Sequence, residues 1–201
     1  MSLKLIKSSS NLGFTPWGLC TAGKFIALGD STNGKIVIYD YGFNKILTSA
    51  ALLYGVSSIE FLGKYFITCD GSNYILKVLD TGFNLVRQSD VLTYAPSGIC
   101  FDGKFLFVCD HDNNLLIKYD MNFNVIKQSS ALAFVPDGLA FDGKNLLLVD
   151  ITNSLILKYD TAFNLLGTIL DCGYQPADVA CDDKFIFTTD FDNHILKMYS
   201  F

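Results

Sequence analysis

The chain has 201 residues, half of them hydrophobic and only 17% charged, and its formal net charge is −5. This length suits one globular all-β domain, and the low charge content indicates strands that are buried on both faces. An acidic chain with a single arginine lacks the basic surface of nucleic-acid binders, so we expect no nucleic-acid partner. No apolar run has the length of a membrane helix, and the first residues lack the apolar core of a signal peptide. We therefore expect no membrane partner and a cytoplasmic location.

The chain repeats itself every forty residues from the first turn to the last. Two sets of residues keep this spacing: Asp30, Asp70, Asp110, Asp150, Asp190, and Phe43, Phe83, Phe123, Phe163. A fixed period of this length is typical of solenoids, propellers and arrays. The five aspartates each follow an apolar run and precede a polar turn. Because Asp readily caps turn backbone, we interpret this ring as structural rather than as a metal or catalytic cluster.

Each repeat predicts four short strands joined by tight turns. In the third repeat these are residues 98–101, 105–109, 115–119 and 123–129, with Asp102-Gly103 forming the first hairpin turn. The connections are too short for crossover helices, so neighbouring strands must be antiparallel. Four-stranded units of this length are the blades of a β-propeller.

Counting the strands predicts five blades and the way in which the ring closes. Five copies of the first three strands are present, but only four copies of the fourth strand follow them. The missing strand is at the front, where residues 5–10 align with residues 125–130. We therefore predict an all-β, five-bladed β-propeller of 40-residue blades, with residues 3–9 completing the last blade by pairing with residues 195–199 and bringing Met1 close to Phe201. The single domain 1–201 then consists of blades at about 15–54, 55–94, 95–134, 135–174, and 175–201 plus 1–14.

The six cysteines fall mostly where the other repeats carry small or apolar residues. Buried free thiols behave in this way, and no C-x-x-C spacing is present. We predict six reduced cysteines, no metal site and no cofactor.

Three motifs recur in the repeats: P-x-G-[IL]-x-F-D-G-K, V-x-D-x-x-N and I-x-K-Y-D. Together they resemble the NHL-type (NHL/YVTN-like) propeller repeat family over the whole chain. The resemblance implies a propeller fold and leaves function open, because such propellers serve as enzymes, lectins and protein scaffolds. Five blades is a departure from the six that many members have.

Residues that break the repeat mark one face as variable. This face carries the loop entering each first strand and the turn between the second and third strands. An exposed aromatic side chain is typical of an interface, so we predict a binding surface there. Its candidate residues are Trp17, His111, Asp137, Ile151, Asp178 and Phe191.

The outermost strand of the fourth blade is a second candidate surface. The other outer strands carry Lys or Arg, which protects an edge strand, whereas residues 163–170 carry no charge. Either a neighbouring loop or Gly167 shields this edge, or the edge accepts a partner strand or a second copy. The candidate residues are Leu165, Leu166, Thr168 and Ile169.

Glu60 is a carboxylate where the other first strands have Cys or Ala. It is either a general acid in the channel or a tolerated, hydrated side chain, since no partner is placed clearly beside it. No nucleophile–His–acid set or phosphate loop appears. The uniform repeats without inserted loops favour a non-catalytic binding or scaffold module with a protein partner or self-association, and not an enzyme. The alternatives are a small-molecule or carbohydrate-binding propeller and, less favoured, a lactonase-like metal-dependent hydrolase.

Overall fold

The computed structural model describes residues 3–200 and contains five sheets of four antiparallel strands each. The innermost strands are β2 (Pro16–Ala22), β6 (Ser58–Phe61), β10 (Pro96–Phe101), β14 (Pro136–Phe141) and β18 (Pro176–Cys181). The second strands are β3 (Phe25–Asp30), β7 (Tyr65–Asp70), β11 (Leu106–Asp110), β15 (Leu146–Asp150) and β19 (Phe185–Asp190). The third strands are β4 (Lys35–Asp40), β8 (Ile75–Asp80), β12 (Leu115–Tyr119), β16 (Leu155–Tyr159) and β20 (Ile195–Ser200). The outermost strands are β5 (Lys45–Thr48), β9 (Leu85–Gln88), β13 (Val125–Gln128), β17 (Leu165–Asp171) and β1 (Lys4–Ser8).

The five sheets form a ring, which confirms the five-bladed β-propeller. Each innermost strand contacts the innermost strands of the two neighbouring blades, so these strands surround a central channel. Apolar residues between neighbouring sheets form five core clusters, one for each blade-to-blade contact. The sheets are therefore buried on both faces, as the composition indicated.

Strand β1 closes the ring by pairing antiparallel with β20, with Lys4 opposite Ser200 and Ser8 opposite Lys197. This confirms closure by the N-terminal strand. The predicted approach of Met1 to Phe201 lies outside the described residues.

A serine extends this closure beyond the last paired residue. The Ser9 hydroxyl accepts a hydrogen bond from the Leu196 N–H (3.0 Å), and the Ser9 N–H donates to the Leu196 carbonyl (2.8 Å). Ser49, Ser89 and Ser129 end the outer strands of the first three blades in the same way. Ser9 therefore bonds β1 to β20 across the ring closure in the same way as these three serines bond the outer strand to the third strand within single blades.

Replacing Ser9 with Ala is expected to weaken the closure by about 1 kcal/mol, because the Leu196 N–H loses its acceptor. Thermal unfolding should show a melting temperature lower by about 2–4 °C. Ser8→Ala is the matched control, because Ser8 is exposed and its hydroxyl makes no hydrogen bond within residues 3–200. Equal melting temperatures for the two variants would contradict a stabilising role for Ser9.

The repeated aspartates cap turns, as predicted. Asp110 accepts a hydrogen bond from the Asn113 N–H at 2.8 Å, and the same contact recurs in all five blades. A second turn holds Phe123 at a φ of 67°, a left-handed conformation that is unusual for an aromatic residue. Phe123 therefore belongs to the turn, and the fourth strand begins later than position 123, where the sequence placed it.

Candidate functional site at the upper mouth of the channel

The channel is closed near its upper end by one carboxylate among small residues. We call the face that carries the loops entering the innermost strands the upper face. One equivalent position on the innermost strands forms the upper layer of the channel: Gly18, Ser58, Gly98, Gly138 and Asp178. A Cβ atom on Gly138 would lie 2.2 Å from Asp178 Oδ1, so only glycine leaves room for this carboxylate.

Asp178 joins four blades through four hydrogen bonds. Its Oδ2 accepts from the Leu19 N–H (2.8 Å) and from the Ser58 hydroxyl (2.9 Å). Its Oδ1 accepts from the Leu139 N–H (3.1 Å) and from its neighbour Val179 N–H (2.8 Å). The Ser58 hydroxyl in turn accepts from the N–H of the third blade's Ile99 (3.2 Å). All five innermost strands are therefore connected through two side chains, Asp178 and Ser58.

Burial raises the pKa of Asp178 well above its ordinary value, and the nearby Asp137 adds to the rise. The Val179 and Leu19 N–H groups and the Ser58 hydroxyl oppose that shift. Every acceptor position of the carboxylate is occupied by a donor, and Asp178 has no solvent exposure. The structure thus places Asp178 inside the channel, one layer below the variable face on which the sequence analysis put it. Its contacts are those of a structural residue.

Above this layer, Trp17 reaches across the channel mouth from the first blade to the fourth. Its indole N–H donates to Asp137 Oδ2 at 3.2 Å, and its ring meets Phe191 edge-on with 5.8 Å between centroids. Trp17, His111, Asp137, Ile151 and Phe191 all line one small pocket of about 70 Å³. Five of the six residues predicted for the variable face thus lie together.

Asp137 is the most perturbed group at this mouth. Its side chain is 4% exposed, and its Oδ1 is buried without a hydrogen-bond partner among residues 3–200. The nearby Ser97 hydroxyl donates to the Pro136 carbonyl (3.2 Å). Burial raises the pKa of Asp137 from 3.8 to about 7, against the opposing effect of the Trp17 N–H and the Ser97 hydroxyl. The carboxylate therefore exchanges its proton near neutral pH.

A larger pocket of about 340 Å³ adjoins the same two residues, Trp17 and His111, on the side of the first three blades. The other residues that line this pocket have small side chains: Ser31, Gly55, Ser57, Gly71, Ser72, Ala95, Pro96 and Ser97. Sequence reasoning missed this pocket because small residues give no pattern of their own. Of its lining residues, only Trp17 and His111 were singled out from the sequence.

The outer strand β17 differs from its counterparts less than the sequence indicated. Leu165 and Leu166 are 57% and 55% exposed, but every outer strand exposes two neighbouring apolar side chains to a similar degree. Thr168 is exposed, whereas Ile169 packs against the adjoining core. Gly167 adopts a φ of 145° within a bulge, so the strand is irregular there. Partner binding at this edge stays a prediction.

All six cysteines are free, as predicted. Burial raises their pKa values, to about 12 for Cys172 and Cys181. Residues 3–200 contain no group of three or more His, Cys, Asp or Glu that could hold a metal ion. Over the same range no helix is long and apolar enough to cross a membrane.

The chain was compared with protein families, curated proteins and solved structures. No family model matches it, and no curated protein does. Among solved structures it is similar to the glutaminyl cyclase of Myxococcus xanthus, with a TM-score of 0.84 and 12% sequence identity. The match covers 98% of this chain and 95% of the cyclase, so the likeness extends over the whole ring. At this identity it shows the fold, and the NHL family is not confirmed.

This finding corrects two predictions made from the sequence. The chain was expected to be a non-catalytic scaffold and not an enzyme, because its repeats are uniform and lack inserted loops. The similar structure is an enzyme built on the same ring of blades, so this fold accommodates catalysis. The absence of insertions is therefore no argument against an active site at the channel mouth.

Proposed function

We propose that the protein is an enzyme that carries out acid–base chemistry on a small polar substrate at the upper mouth of the channel, with Asp137 as the proton-transferring group. The observation that carries this proposal is the buried, unpartnered Oδ1 of Asp137, whose carboxyl group has a pKa of about 7. A general acid or base works best when its pKa lies near the working pH. Burial and perturbed ionisation in a cleft are also typical of functional carboxylates.

The reaction class that we infer is ring closure through an amide, and its support is the fold shared with a glutaminyl cyclase. In such a closure the amino nitrogen of a glutaminyl group attacks its own side-chain amide carbon. The new C–N bond forms, the old one breaks, and ammonia leaves. One proton must leave the attacking nitrogen and one must reach the leaving nitrogen, so a single carboxyl group that accepts and returns a proton serves both steps.

The residues around Asp137 have distinct parts in this proposal. The Trp17 N–H holds Oδ2 and leaves Oδ1 free to accept the proton. His111 lies on the wall that both pockets share and offers a hydrogen bond to the amide. The pocket of about 340 Å³ then holds the part of the substrate that does not react.

The test is an assay of ammonia release from a dipeptide with N-terminal glutamine, followed by mass spectrometry of the product. We expect Asp137→Asn to lower kcat/KM by a factor of about 10² to 10⁴. For the native protein kcat/KM should rise with pH and level off above about pH 7, because the carboxylate is the form that accepts the proton.

Asp183→Asn is the control, because Asp183 is an exposed aspartate on the opposite face. It should leave kcat/KM unchanged. Turnover in Asp137→Asn within a few-fold of the native rate would contradict the role of Asp137. Absence of ammonia release by the native protein would contradict the reaction class.

A further inference from the structure

A second carboxylate occupies the channel below Asp178. The lower layer consists of the residues two positions further along each innermost strand: Cys20, Glu60, Cys100, Ala140 and Ala180. This layer repeats the arrangement of the upper one, in which a single acid lies among four small residues. In the lower layer that acid is Glu60.

The two carboxylates differ sharply in their hydrogen bonds. Asp178 accepts four, whereas Glu60 accepts one, from the Phe61 N–H to Oε1 at 2.9 Å. Glu60 Oε2 has no protein partner within residues 3–200. Glu60 is not fully buried, and it lines a small chamber of the channel. A carboxylate oxygen in such surroundings calls for a hydrogen-bond donor.

Glu60 borders a chamber of about 60 Å³, enough for a few water-sized groups. Two other polar side chains of the chamber already use their donors. The Thr21 hydroxyl donates to the Cys181 carbonyl (2.9 Å), and the Cys181 thiol donates to the Phe141 carbonyl (3.3 Å). Glu60, the Cys20 thiol and the aromatic residues Phe101 and Phe141 also line the chamber. A small cation rich in N–H donors complements such walls.

The charges around the chamber favour the same class of ligand. Burial raises the pKa of Glu60 to about 8, so its carboxyl group carries a proton at neutral pH. The chamber thiols Cys20 and Cys181 and the neighbouring thiol of Cys100 have raised pKa values and stay uncharged. Asp178 lies above, and the turn residues Asp102, Asp142 and Asp182 lie near the thiols, so the charged groups around the chamber are mainly acidic. Lys158, a cation close enough to act on Cys181, is paired with Asp142 at 2.8 Å.

We propose that this lower chamber is a binding site for a small ammonium-type cation held by Glu60. Binding at neutral pH releases the proton of Glu60, so the neutral acid and the cation become a carboxylate–cation pair and one free proton. The ligand class is ammonium or a small primary amine, whose N–H groups reach Oε2 and the Thr21 oxygen. The site lies on the far side of the Asp178 layer from Asp137 and does not depend on the proposed reaction.

Isothermal titration calorimetry of the whole protein with ammonium chloride at pH 7 tests this site. Running it in two buffers of different ionisation enthalpy measures the protons released. We expect saturable binding with release of about one proton per ion. Tetramethylammonium chloride is the matched probe, because it carries the same charge without N–H donors, and it should not bind.

Glu60→Ala should abolish ammonium binding, and alanine already occupies this position in two other blades, so the variant is expected to fold. Unfolding curves of Glu60→Ala show directly whether the variant folds. The comparison of ammonium with tetramethylammonium uses the native protein and does not depend on any variant. Asp137→Asn should bind ammonium as the native protein does, even if its catalytic role is wrong. No saturable binding, equal binding of both cations, unchanged binding in Glu60→Ala or lost binding in Asp137→Asn would each overturn the proposal.

Discussion

Asp137→Asn is expected to be more stable than the native protein at pH 8, by up to about 4 kcal/mol, while losing activity. Burial raises the pKa of Asp137 from 3.8 to about 7, so the folded state holds the proton more tightly than the unfolded state. Such a group contributes stability below about pH 4 and loses that contribution as the pH rises to about 7. The gap between the two pKa values corresponds to about 4 kcal/mol. Asparagine keeps an oxygen for the Trp17 N–H and never bears the charge.

Denaturant unfolding at pH 8 and pH 4.5 measures this effect. The advantage of Asp137→Asn should be largest at pH 8 and should shrink markedly at pH 4.5. Asp190→Asn is a control for which the opposite effect is expected. Asp190 is 1% exposed, and its burial alone would raise its pKa. Hydrogen bonds from Lys197 and Asn193 outweigh burial and lower the pKa of Asp190. That variant should be less stable at pH 8. A loss of stability at pH 8 in Asp137→Asn would show that the native carboxylate is well solvated.

Asp178→Ala is expected to destabilise the ring by about 3 kcal/mol or more. The substitution removes the acceptor of three backbone N–H groups and of the Ser58 hydroxyl, all of which stay buried. Each buried donor left without a partner costs about 1–3 kcal/mol. The four donors come from four blades, so the loss falls on the contacts that hold the ring together.

The free energy of unfolding at pH 7 checks this value, and Asp183→Ala is the control. Asp183 is an exposed aspartate in a turn of the same blade, so its removal should change stability by less than about 0.5 kcal/mol. A change below about 1 kcal/mol in Asp178→Ala would mean that water replaces the carboxylate without cost. The Asp178 layer would then not hold the blades together.

The repeat made most of the fold predictable. A forty-residue period indicates the order and approximate position of the strands. The missing fourth strand required that residues near the N-terminus complete the last blade. The strand limits differ by a few residues, as at Phe123, because a left-handed aromatic residue in a turn has no simple pattern. The grouping of Trp17, His111 and Phe191 followed from their places on one face.

The chemistry of the channel was not predictable in the same way. Asp137 and Asp178 occupy adjacent positions of the repeat, yet Asp137 lines the small pocket and keeps a buried oxygen without a partner, whereas Asp178 is fully bonded one layer below. That difference arises from Trp17 and Ser58, which are 120 residues away from Asp137 and Asp178 respectively. Glu60 lacked a visible partner in the sequence for the same reason, since its surroundings come from separate blades.

The most direct test of Asp137 as a group that exchanges its proton near neutral pH is the fluorescence of Trp17, the single tryptophan of the chain. Its indole N–H bonds the carboxylate, so ionisation of Asp137 changes the charge 3.2 Å from the fluorophore. We expect emission to change between pH 5 and pH 9 with a midpoint near 7 in the native protein and in His111→Gln, and no such transition in Asp137→Asn. A native protein without a transition in this range, or a transition that persists in Asp137→Asn, would contradict the assignment.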